Sequence, residues 1–73
     1  MKKGDIIKKC SERYMLTERI EDFGHGEGGW VCVDMNTIEE KGRDNITAFD
    51  CWRVTDKYLE FQIQRGVITV EQI

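Results

Sequence analysis

A chain of 73 residues has room for one domain with a thin core, because a chain this short buries only about 60% of the surface it exposes when unfolded. Its 40% hydrophobic and 34% charged residues exclude an unfolded, highly charged polymer, and a net charge of −3 opposes general binding to phosphate backbones. No stretch reaches the ~20 continuous apolar residues of a membrane span. No apolar run follows the basic Met1-Lys2-Lys3 start either, so the expected setting is cytoplasmic, with no membrane partner.

Taken in chain order, Gly4-Asp5 marks a turn and Ile6-Ile7-Lys8-Lys9 a first strand. Tyr14 to Glu21 alternates Tyr14, Leu16 and Ile20 against Thr17, Arg19 and Glu21, which fits a second strand better than a helix. The segment from Phe23 to Gly29 holds four glycines and reads as a mobile hairpin tip. Trp30-Val31-Cys32-Val33-Asp34 is the clearest strand in the chain. Residues 36–45 are polar and read as an irregular loop, and residues 46–54 as a further strand. Thr55 through Gly66 has the pattern of a short helix. Thr55 can cap it, Asp56 suits its positive end, Leu59 and Ile63 share a face, and Gly66 stops it. Val67 to Glu71 closes the series as a strand.

Cys10, Cys32 and Cys51 are odd in number and widely spaced, and form no CxxC pair. With His25 as the only other soft ligand they resemble no zinc module, so free thiols are expected, with no metal and no cofactor. Cys32 and Cys51 read as small core hydrophobes.

Gly24-His25-Gly26-Glu27-Gly28-Gly29-Trp30-Val31 fits the pattern GxGxxGxV. A strand rather than a helix follows it, and Glu21, Asp22 and Glu27 oppose phosphate there. It is therefore a hairpin tip or a lid over a small ligand. His25 has no partner at a readable spacing for a triad, and no residue is assigned a catalytic role. The five cations of residues 1–13 outnumber Asp5 and Glu12, a local charge of +3 that leaves the rest of the chain at −6. That end could touch nucleic acid locally.

Seven aromatic rings are more than a thin core hides easily. Trp30 and Trp52 lie at strand ends beside loops, where a ring left half exposed can fill a partner's pocket. The candidate binding residues are therefore Trp30, Trp52 and Tyr14, with His25, Gly26 and Gly28 at the tip.

In order, these segments resemble the SH3-like small-barrel superfamily, in which a helical turn commonly separates the fourth and fifth strands. The resemblance is carried by Gly4-Asp5-Ile6-Ile7, by Glu27-Gly28-Gly29-Trp30-Val31 and by Ile68-Thr69-Val70-Glu71. It implies a mainly β fold, a small barrel of about five strands with one short helix before the last. The Ala-Leu-Tyr-Asp-Tyr strip of true SH3 domains is absent, so their recognition of Pro-rich peptides is not carried over. Barrels of this kind also occur among prophage-type accessory proteins, which this chain is similar to in size and acidity. The expected function is non-enzymatic binding of a protein partner through an aromatic surface. The alternatives are capture of a small ligand or nucleotide under Gly24–Gly29, and nucleic-acid contact by the basic N-terminus. An exposed terminal strand also leaves room for a homodimer.

Overall fold

The computed structural model describes residues 1–71. Five strands form one antiparallel sheet: β1 (Ile6–Lys9), β2 (Glu12–Ile20), β3 (Gly29–Asp34), β4 (Cys51–Thr55) and β5 (Ile68–Glu71). Their order is β4-β3-β2-β1-β5, so the first four strands make a meander and the fifth returns to pair with the first. The sheet does not close into the expected barrel, because β4 and β5 are its two edges and do not pair with each other.

Hairpin geometry sets the register at one end. Lys9 faces Glu12 across a two-residue loop in which Cys10 takes φ 56°. A bulge between Leu16 and Glu18 shifts the pairing of β2 with β3, and the Thr17 hydroxyl donates to the Val31 carbonyl at 3.2 Å there. At the start of β1, Asp5 is fully buried, and one of its carboxylate oxygens accepts from the Lys2 N–H at 2.9 Å.

Two helices cover the sheet. The expected one is α2 (Asp56–Gln64), capped by Thr55, whose hydroxyl accepts from the Tyr58 N–H. It carries the chain from the β4 edge to the β5 edge and so must cross one face. There Leu59, 1% exposed, joins Ile7, Leu16, Trp30, Cys32 and Ile68 in the core, with Ile63 and Val70 packed against them.

The other helix corrects the sequence reading. Residues 35–41 form α1 (Met35–Lys41) rather than an irregular loop, with Asp34 accepting from the Asn36 N–H and Gly42, at φ 81°, ending it. Only Met35 and Ile38 are large apolar residues in it, too few to show an amphipathic stripe. Its existence rests on caps, which Asp34 and Gly42 supply.

The strand expected over 46–54 is likewise shorter. Thr47 and Asp50 close a reciprocal capping box that holds Ala48–Asp50 in a 3-10 turn, and pairing with β3 begins only at Cys51.

The glycine-rich segment divides in two. Gly24 and Gly26 have open space where a Cβ would lie and positive φ, and the Asp22 carboxylate accepts from both of their N–H groups. Gly29 belongs to β3 and is buried; a Cβ there would lie 2.0 Å from the Val54 carbonyl oxygen. The tip therefore ends at a tightly packed strand rather than running loose to Trp30.

Candidate binding groove

On the face crossed by α2, strand alternation brings Ile7, Tyr14, Cys32, Trp52 and Ile68 to the same side as the helix. Between them and Tyr58 of α2 runs a groove of 520 Å³, within the size range of small-molecule sites. Its floor is apolar, made by Ile7, Cys32, Val54 and Ile68. Aromatic rings wall it: Trp52 is 64% exposed, Tyr58 lies on the helix side and Tyr14 is half-buried.

Two polar pairs stand at its mouth. The Lys9 ammonium donates to the Tyr58 hydroxyl at 3.2 Å and lies 5.9 Å from the centre of that ring. The hydrogen bond to Tyr58 raises the Lys9 pKa. The Tyr14 hydroxyl donates to Glu12 at 2.5 Å, which with partial burial pushes the phenol up to about 12. Burial pushes the Cys32 thiol on the floor up to about 11. At neutral pH both therefore keep their protons, so neither Tyr14 nor Cys32 presents an anion to the groove. It offers hydrophobic contact, ring faces and hydrogen bonds.

The candidates named from sequence separate cleanly. Tyr14 and Trp52 meet at this groove. Trp30 does not reach the surface: it is 7% exposed and packs in the core, with the Arg19 guanidinium 5.5 Å from its ring centre. Its neighbour across β4 is Val54, and burial follows from its place on an inner strand, where both flanks are covered. His25 and Gly26 sit exposed at the hairpin tip and do not line the groove. Gly28 is half-buried against the Glu21 carbonyl, where a Cβ would come within 2.6 Å.

Lys9, Glu12 and Tyr58 belong to the groove but were not singled out from sequence. The signal for the first two was present, since a two-residue turn must set Lys9 opposite Glu12 on the face of Tyr14. Tyr58 could be placed only once α2 was known to cross that face.

Of the three thiols, Cys32 is core, Cys10 is exposed, and Cys51 is half-buried with its Sγ 3.4 Å from the Thr47 carbonyl oxygen. Among the described residues, no three His, Cys, Asp or Glu side chains are placed to hold a metal, and no helix is long and apolar enough to cross a membrane. A second hollow of 400 Å³ lies between α1 and the opposite face, over Met15, Val33 and Cys51.

No protein-family model, curated protein or solved structure matches this chain.

Proposed function

We propose that this domain is a non-catalytic binding module that engages a protein partner at the groove between α2 and the sheet. The observation that carries the reading is Trp52: a large ring, 64% exposed, fixed by β4 beside an apolar hollow and facing Tyr14 and Tyr58 across it. Rings of this kind dominate interface energetics because they desolvate much area at small entropic cost. The same volume would admit a small ligand, and the apolar floor supports that as the second reading, now in the groove rather than under the glycine tip. The helix between β4 and β5, and the return of β5 to β1, are the features that support a resemblance to SH3-like folds, with the barrel left open.

The test is affinity capture with wild type, Trp52→Ala and His25→Ala, each checked for folding by circular dichroism. A partner held by wild type and His25→Ala is expected to lose roughly 2 kcal/mol of binding in Trp52→Ala. A folded Trp52→Ala protein that holds every partner as wild type does would overturn the assignment.

A further inference from the structure

We infer that the outer edge of β4 takes up an extended peptide whose side chains run apolar–acidic–apolar, adding it to the sheet as a sixth strand. This deepens the reading of the groove as a protein-binding site and rests on it. The Asp56 N–H donates to the Gly28 carbonyl at 2.9 Å, just beyond the ladder in which Val54 pairs with Trp30 and Trp52 with Cys32. Antiparallel pairing alternates, so the N–H and C=O of Val54 and Trp52 face β3, whereas those of Cys51 and Arg53 and the N–H of Thr55 point outward. The Cys51 N–H returns to the Ala48 carbonyl. Outside the ladder, no hydrogen bond among the described residues uses the Arg53 backbone or the Thr55 N–H. A row of unpaired backbone groups is what strand addition needs.

Side chains set the sequence preference. A peptide residue directly opposite Arg53 lays its side chain on the same face as Arg53, and its two neighbours project onto the groove face beside Trp52 and Val54. Arg53 is exposed and has no ion pair among the described residues. The carboxylates flanking β4 are already engaged, Asp50 by Lys41 at 2.9 Å and Asp56 by Arg19 at 2.7 Å. The edge therefore presents one unmatched cation, which selects an acidic residue opposite it. The groove side, with exposed Trp52 beside the apolar floor, selects apolar neighbours. A second copy of this chain pairing edge to edge about Arg53 would set two like charges opposite each other, which disfavours it as the occupant.

The experiment is selection of the intact protein against a random displayed peptide library, followed by affinity measurement on synthetic winners. Winners are expected to carry an acidic residue between two apolar ones. Methylating the backbone nitrogens of the winning core, or changing Arg53→Pro, should weaken binding about tenfold or more, since each removes edge hydrogen bonds. Proline is tolerated where an edge N–H faces outward, so the fold should survive. Arg53→Glu should reverse the charge preference toward peptides with lysine at the central position. Winners without that alternation overturn strand addition. So do winners indifferent to N-methylation and Arg53→Glu but lost with Trp52→Ala; those would leave the groove reading standing. A failure to select any peptide overturns strand addition, while the capture experiment decides the groove independently. A wild-type dimer that Arg53→Pro dissociates, and that excludes peptide, overturns it in favour of a second copy.

Discussion

The two faces of the sheet carry helices of similar length that are held in different ways. On one face α2 drives Leu59 into the core, packs Ile63 beside it and ties its first turn to β2 through paired hydrogen bonds from Arg19 to Asp56, at 2.7 and 2.8 Å. On the other, α1 contains no buried residue and lies over a hollow beside Met15, Val33 and Cys51. Caps are enough to start and stop a helix of seven residues, but they do not make it a structural anchor. The side with the inserted leucine is the side that can hold a groove in fixed shape, because its walls belong to a packed layer.

Alanine substitution tests this asymmetry most severely. Leu59→Ala removes a fully buried side chain from a thin core and should cost about 3 kcal/mol, with thermal unfolding the natural measurement. Loss of well under 1 kcal/mol would mean that α2 is no better anchored than α1.

Arg19 sharpens the same contrast. It bonds Asp56 in a bidentate pair, donates to the Gly29 carbonyl at 3.3 Å and covers Trp30. Because the pair is exposed, solvent screening weakens it, and Arg19→Met should destabilise the fold less than Leu59→Ala does. The pH dependence has a definite sign. The Arg19 guanidinium holds Asp56 below its ordinary 3.8, so the pair's contribution is present above that pH and disappears as acid titrates through the lowered value. The stability gap between wild type and Arg19→Met should therefore be constant near neutrality and close below about pH 4 in urea titrations. A gap that persists in strong acid would assign the effect of Arg19 to its packing on Trp30 instead.

The smallest effect is expected on the far face. Ile38→Ala trims a half-buried side chain above an existing hollow and should cost under about 1 kcal/mol. A cost matching that of Leu59→Ala would show the second layer to be as firmly built as the first.

Local signals placed β1, β2, β3, α2 and β5 to within about two residues, because each combines a clear period with a turn or cap at its boundary. Where the reading failed, local hydrogen bonds competed with pattern. Thr47 and Asp50 satisfied each other in a 3-10 turn and delayed β4, and Asp34 with Gly42 bounded a helix whose interior lacked the apolar spacing expected of one. Both cap sets can be read in the sequence, and weighing them above the polar composition of residues 36–45 would have found α1.

Residue order by itself determined that the fold is mainly β, that one capped helix precedes the last strand, and that Tyr14 and Trp52 stand on strands with large rings to place. It could not distinguish Trp30 from Trp52. Both are tryptophans at strand ends beside loops, and both project onto the same face of the sheet. Only tertiary position separates them. Trp30 lies on inner strand β3, covered by its neighbours and capped by Arg19, whereas Trp52 lies on the edge strand, where one flank has no neighbour to bury it. The return of β5 to β1 left β4 an edge, and with it decided which ring remained exposed.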